Sequence, residues 1–365
     1  MTDSNLLKVG SRKSQLALSQ TQIIVNQLKE NFPDLKFDIV TMLTTGDKIL
    51  DKPLPKIGEK SLFTKELEAA LEKNEVDFVV HSLKDLPTSL PPDLTIGAIL
   101  KREDPRDALV VNKNLNFKNV SSLPESSVIG TSSLRRCAQL CRNYPNLKVE
   151  NIRGNLNTRL KKLDEGDKYT GIVLAAAGLK RLKYDDRITQ ILEPNEMLYA
   201  VGQGALAVEC NKNNEKVLDI LEVLNDHSTI LRVIAERSFL KTLGGGCSAP
   251  VAVSTKLEEK ELYLTGAVWS LNGEKHIQKT KSVTISSEEP LRKKSRVMGE
   301  SHAEITARNI SNNDLNLSEN LGILLAQDLI KLGALNIISE AKSINEIPNE
   351  SPEEKNKYKG IFQTD

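Results

Sequence analysis

Aromatic side chains make up only 4% of this chain, and its 365 residues include just four cysteines and four histidines. Each shortage removes a class of protein. So few cysteines in so long a chain do not make a disulfide framework, which suits a reducing compartment, with the cytoplasm as the default. Cys137 and Cys141 stand four apart on an expected helix, but no second Cys or His pair with zinc spacing follows, and His81, His227, His276 and His302 are isolated. No metal is expected, and the thiols read as core residues. No window approaches the ~18 uninterrupted apolar residues of a membrane span, and the start, MTDSNLLKVGSRKS, has no apolar stretch behind a basic one. An excess of one charge is missing too, since 50 Lys and Arg face 49 Asp and Glu. A nucleic-acid-binding domain would carry a general basic excess. The basic stretch SSEEPLRKKSRVMGESH has no aromatic partner and reads as a surface insertion.

What positive charge there is sits in a few glycine-punctuated segments: Arg12 in VGSRKSQLALSQ, Arg135 and Arg136 in IGTSSLRRCAQL, Arg153 and Arg159 in NIRGNLNTRL. Guanidinium suits two-pronged capture of carboxylate or phosphate, so this clustering points to a small ligand with many acidic groups.

The length implies two or three domains. Over the first two hundred residues strand patterns alternate with helix patterns: LLKVG, a helix near 14–30, FDIVTML, a helix over 61–73, VDFVV; then VIGTSS, a helix from Leu134, LKVENI, a helix over 156–163, and YTGIVLAAAG as strand then turn. Parallel sheets flanked by helices are expected. The turns also repeat in order. Val9-Gly10-Ser11 matches Ile129-Gly130-Thr131, Thr45-Gly46-Asp47 matches Arg153-Gly154-Asn155, and Ser82-Leu83-Lys84-Asp85 matches Gly178-Leu179-Lys180-Arg181, as a duplicated α/β unit would. Ligands of such sheets bind beyond the carboxyl ends of the strands, where these turns lie. At the Gly-Ser/Thr turns Ser11, Ser14, Thr131, Ser132 and Ser133 can cap a helix or bind an anion at its first turn, and the adjacent arginines favour the anion. From near Asp226 a helix capped by Asp226 or Ser228 reaches about Leu243, Gly244-Gly245-Gly246 ends it, and PVAVS, ELYLTGAVW and HIQKTKSVTI read as strands, with Asn272-Gly273 as a hairpin turn. An amphipathic helix over 318–332 and a polar tail after about 347 complete the chain.

Two residues stand out chemically. Cys247 follows three glycines, so its thiol is reachable, as a structural turn or as an attachment point; no His lies nearby to make it a protease-like nucleophile. Asp85 closes the strand VDFVV within HSLKDLP and faces the cleft, unless it merely pairs with Lys84. The matched position in the second unit is Arg181.

Taken together, GSRKSQLALSQ, TTGDKILDKPLPKIGEKSLFTKELE, HSLKDLP, GTSSLRR, IRGNLNTRL, AAGLKRL, YAVGQGALAVE and GGGCSAPVAV, spread over residues 8–340, are similar to the hydroxymethylbilane synthases, or porphobilinogen deaminases. The resemblance implies two doubly wound α/β domains like type II periplasmic binding proteins and a smaller α+β C-terminal domain. Their limits are 1–102 with 203–225, 103–202, and 226–365. It implies a cytoplasmic, monomeric transferase that condenses four porphobilinogen molecules onto a dipyrromethane cofactor bound covalently at Cys247, without nucleic acid or membrane as partner. Carried over residue by residue, it implies Asp85 and Lys84 as catalytic. Lys84, Ser132, Ser133, Arg135, Arg136, Gly154 and Arg159 fall to the cofactor, and Arg12, Ser14, Lys60, Phe63, Arg153, Arg181 and Gln203 to the substrate. The third glycine before Cys247 and the insertion at 287–302 depart from the commonest pattern. The competing expectation is a non-catalytic two-lobed protein that closes on a small polyanion.

Overall fold

The computed structural model describes residues 5–48, 62–244, 249–286 and 301–346. The chain starts with β1 (Leu6–Arg12), and Ser14 then caps α1 (Gln15–Asn31) by accepting from the Ala17 amide at 3.2 Å. Ile24, Val25 and Leu28, at helical spacing, bury that helix against the strands. β2 (Lys36–Met42), the short α2 (Thr45–Lys48), α3 (Lys65–Glu72), β3 (Phe78–Ser82) and β4 (Leu94–Ile99) complete the first pass. The chain crosses to a second sheet through β5 (Asp107–Val111), β6 (Val128–Gly130), α4 (Leu134–Asn143), β7 (Lys148–Glu150), α5 (Leu156–Glu165), β8 (Gly171–Ala175), α6 (Ala176–Arg181) and β9 (Gln190–Ile191). It returns through β10 (Leu206–Asn211) and α7 (Glu215–Leu221).

The first sheet has the order β2-β1-β3-β10-β4 and the second β7-β6-β8-β5-β9. Helices cover both faces of each: α1 and α7 oppose α3 on the first, and α4 opposes α5 and α6 on the second. The sheets are mixed, which corrects the all-parallel expectation. β10 runs antiparallel to β3 and β4, and β5 runs antiparallel to β8 and β9. These are the two strands by which the chain passes between lobes, and each enters its sheet against the direction of the repeat.

Register tests the duplication. Val9 pairs with Phe78 and Ile129 with Gly171, so the first correspondence holds. Gly10 and Gly130 do the same job, since a Cβ there would meet Val79 at 2.8 Å or Ile172 at 2.9 Å. The third correspondence shifts. Counting from Phe78 to Asp85 and equally from Gly171 leads to Gly178, so Arg181 lies three residues beyond the counterpart of Asp85. The expected turn there is the helix α6, as its Ala, Leu, Lys and Arg content favours. The helix expected over 61–73 starts at Lys65; Ser61 lies outside the described residues.

Asp226 caps α8 (His227–Thr242) through the Thr229 amide at 2.9 Å, and the antiparallel sheet β11 (Val251–Glu258), β12 (Glu261–Trp269), β13 (His276–Thr284) follows. α9 (Asn312–Lys331) begins six residues earlier than the expected 318, and Gly333, with φ +96°, turns the chain into α10 (Ala334–Glu346). α8, α9 and this third sheet share one core, into which Leu83 and Leu86 of the first lobe are sunk. No single described helix is long and apolar enough to cross a membrane.

Candidate active site

A small open pocket lies at the carboxyl ends of β1 and β3, lined by Arg12, Ser14, Gln20, Phe63, Ser82 and Asp85 among others. Four of the expected residues therefore meet in one place. A one-turn helix, Leu83–Asp85, follows β3 directly. Leu83 and Leu86 point into the third unit's core, while Lys84 and Asp85 are half-buried. The apolar pair anchors the turn that carries the polar pair.

Arg12 organises the pocket. Its guanidinium pairs with Asp47 through Nε (3.2 Å) and Nη2, lies 4.3 Å over the Phe63 ring, and comes within 4.0 Å of Asp85 Oδ2. Burial pushes the Asp47 carboxyl up, but the bond and charge of Arg12, with Thr44, outweigh it and hold it below the usual range. Phe63 packs on Gly46, where a Cβ would clash at 2.3 Å. Gln20 donates to Ser82 Oγ at 3.0 Å.

The second lobe supplies the other cations. Ser133 holds the N-cap position of α4 with its hydroxyl free of a capping bond, and Ser132 beside it is half-buried. Arg135 and Arg136 then converge on one carboxylate, Asp107, which has no exposure. Arg135 Nη1 donates to Oδ2 at 2.6 Å, Arg136 Nη2 and Nε donate to Oδ1 at 2.7 and 3.1 Å, and Gln203 Nε2 adds a fourth bond at 2.9 Å. Burial alone would raise this carboxyl, and the two guanidiniums drive it far below its usual range. Gln203, expected at the substrate, is thus buried beneath the site, its amide also donating to Pro105 O at 2.7 Å.

Arg159 donates to Gly154 O at 2.8 Å, the glycine having φ +117°, and among the described residues it has no carboxylate partner. Burial, then the charges of Arg136 and Arg153, pull it down to about 10. Arg153 is 6% exposed. Lys84 bridges the lobes electrostatically: burial pulls its ammonium down to about 8, Asp85 and Asp107 oppose this, and Arg136 and Arg135 reinforce it. Arg181 donates to Gly204 O at 2.6 Å, at the chain's return to the first lobe. Lys60 and Cys247 lie outside the described residues.

This arrangement can hold a polyanion along one wall and set a carboxylate against it at Asp85. Arg135 and Arg136 share the one carboxylate of Asp107, Lys84 feels Asp85 and Asp107, and Arg159 has no carboxylate partner among the described residues, a surplus of positive charge that a ligand bearing several carboxylates would neutralise. Sequence reasoning missed Asp107, Asp47 and Gln20. For Asp107 the available signal was a charged residue opening the fully apolar run of β5.

Comparison with known proteins adds a family. Residues 7–219 match the porphobilinogen deaminase dipyrromethane cofactor binding domain, and residues 230–331 match the porphobilinogen deaminase C-terminal domain. Porphobilinogen deaminase of a Nostoc species is 51% identical over 285 residues, 78% of this chain and 88% of its own length. That of a Prochlorococcus marinus strain is 53% identical over 272 residues, 74% of this chain and 86% of its own. Among solved structures, the periplasmic aliphatic sulphonate binding protein SsuA from Escherichia coli aligns over 67% of this chain and 76% of its own, with 12% identity and a TM-score of 0.35. The BenM effector binding domain with its effector benzoate aligns over 67% and 95%, with 13% identity and a TM-score of 0.39. The chain belongs to the porphobilinogen deaminase family, and its activity is that of a hydroxymethylbilane synthase, a transferase of tetrapyrrole biosynthesis with a dipyrromethane cofactor.

Proposed function

We propose that porphobilinogen is condensed in the pocket between Arg12 and Asp85, with the ionised Asp85 carboxylate as the catalytic group, Lys84 beside it, and the cofactor attached through a thioether at Cys247. The substrate's aminomethyl nitrogen resembles a lysine amine, with a pKa of about 10, so it arrives protonated and leaves as ammonia. Asp85 stabilises the cation left on the substrate ring through space and accepts the proton lost from the pyrrole carbon once the new bond has formed. When bound, dipyrromethane supplies the free pyrrole carbon to which the first ring is joined. Four rings are added, and hydrolysis releases the linear product.

Each ring brings two carboxylates, which explains so many fixed cations. Lys84, Ser132, Ser133, Arg135, Arg136, Gly154 and Arg159 hold the cofactor. Arg12, Ser14, Lys60, Phe63, Arg153 and Arg181 meet the substrate, and Gln203 acts from below by holding Asp107. The same reading takes 1–102 with 203–225, 103–202 and 226–365 as domains of a cytoplasmic monomer, free of nucleic acid and membrane.

The observation that carries the proposal is a carboxylate facing the pocket 4.0 Å from Arg12, at the end of a run of under-neutralised cations. Intact mass measurement on Cys247→Ser should lose the mass of two pyrrole units. Asp85→Asn should keep that mass and turn over ~10²–10⁴-fold more slowly. Normal turnover in Asp85→Asn, or an active enzyme with an unmodified thiol, would sink the assignment.

A further inference from the structure

Among the described residues Arg237 is the largest side chain with almost no exposure, 1%. It sits on α8, and among the described residues its hydrogen bonds all go to backbone carbonyls: Nε to Ala303 O at 3.0 Å, Nη2 to Pro87 O at 2.8 Å, and Nη1 to Leu86 O at a longer 3.4 Å. Burial pulls it down to about 10, against the charges of Glu304 and Glu209, so it stays a cation at neutral pH. A buried guanidinium without an ion pair is a poor way to gain stability, because an apolar residue of similar volume packs without the desolvation cost. What it does achieve is to fix three carbonyls.

Two of those carbonyls follow Asp85 directly. Leu83 and Leu86, on either side of Lys84 and Asp85, are already sunk in the third unit's core, and the Leu83 amide donates to Ala205 O at 3.0 Å. The third carbonyl belongs to a turn in which Ala303 and Glu304 have φ of +50° and +69°. Two successive non-glycine residues in the left-handed region are strained and persist only where the surroundings hold them. That turn lies along β4, with the Ile96 amide donating to Glu304 O at 2.9 Å and the Thr306 amide to Ile96 O at 3.0 Å.

We propose that Arg237 is a positioning residue for the condensation: it ties the backbone immediately after Asp85 to α8 and to the Ala303–Glu304 turn, so the carboxylate keeps one place relative to the third unit while the product lengthens. This rests on Asp85 being the catalytic group, as proposed above.

The test uses purified holoenzyme of Arg237→Met, close in volume and without donors, and of Arg237→Lys, which keeps the charge and one donor group. Both should carry the cofactor mass. Arg237→Met should lose ~10–100-fold in kcat per loaded molecule with KM nearly unchanged, as misplacing a catalytic group does. Arg237→Lys should fall between it and the wild type, and it replaces Met if that variant does not fold. Hydrogen exchange at the Leu86 and Thr88 amides should speed up while the interior of α8 keeps its wild-type rates. Wild-type kcat with unchanged exchange at those amides overturns the inference, as does exchange that rises evenly over the whole chain, which marks a loss of stability alone. Asp85→Asn, run alongside, separates the two claims. If it turns over normally, the catalytic assignment fails and the positioning role with it; if it is slow while Arg237→Met is fast, only the positioning role fails.

Discussion

The two lobes share a strand order and a serine at the N-cap of the helix after the first strand, Ser14 in one and Ser133 in the other, yet they place their carboxylates differently. By register Asp107, which pairs with Ala175, corresponds to Leu206, which pairs with Ser82. Asp85 in turn corresponds to Gly178. The helix positions that hold Leu16 and Ala17 in the first lobe hold Arg135 and Arg136 in the second. The second lobe therefore buries its carboxylate under two arginines and fixes their planes, whereas the first ties Arg12 to Asp47 and leaves Asp85 facing the pocket. On the proposed assignment, one scaffold holds anionic groups still and the other meets a charge that changes during reaction.

The largest effect that can break this contrast is on stability. Asp107→Asn leaves two buried guanidiniums facing a neutral amide, and it should cost ~3–5 kcal/mol in urea unfolding. Asp47→Asn, in a pair that is about one-fifth exposed, should cost clearly less. Both carboxyls are held below the ordinary value of 3.8, so their contribution is complete above that pH and is lost as pH falls through the lowered folded-state values. Equal costs at the two sites would mean that the second lobe's carboxylate is not special.

A smaller effect concerns binding. Arg159 has no carboxylate partner among the described residues and sits with Arg136 and Arg153, so Arg159→Met should weaken the hold on the cofactor's carboxylates by ~1.5–3 kcal/mol, the worth of a hydrogen bond to a charged group, and lower the fraction of molecules that carry the cofactor mass. It should not lower the melting temperature of the cofactor-free protein, because it removes repulsion. A fall in that melting temperature with unchanged cofactor loading would make Arg159 a structural cation and weaken the reading of this wall as an anion site.

Much of this contrast could be read from residues alone, and the unread part has a common cause. α1 and α8 announced themselves through their caps, Ser14 and Asp226, and through periodic apolar positions. The arginines and Asp85 stood out because they lie in or beside glycine-punctuated or strand-ending segments, although Arg135 and Arg136 prove to be on α4 and Arg159 on α5. β4, β5 and β10 were not, since LTIGAI, DALVV and LAVECN are buried on both faces and show no alternation. Their antiparallel direction depends on the chain crossing twice between lobes, which no local pattern encodes. The same crossing brings Asp107 under Arg135 and Arg136, so although a charge opening an apolar run marks Asp107, its pairing with those two arginines became visible only with the fold. Matching Arg181 to Asp85 failed because a short motif carries no register.

The smallest effect is a proton. Lys84 is half-buried between the lobes with its ammonium pulled down to about 8, against an ordinary 10.5. Between those values the folded chain binds fewer protons here than the unfolded one, so this group makes stability rise with pH across that window. A carboxylate ligand beside Lys84 favours its charged form and pushes it back up. Porphobilinogen binding at pH 8.5 should then take up a fraction of a proton, measurable by calorimetry in two buffers of different ionisation heat. Lys84→Arg, whose guanidinium remains charged throughout, should abolish the uptake. Unchanged uptake in that variant would move the titrating group elsewhere and leave Lys84 as a neighbour of Asp85 with no direct part in meeting the carboxylates.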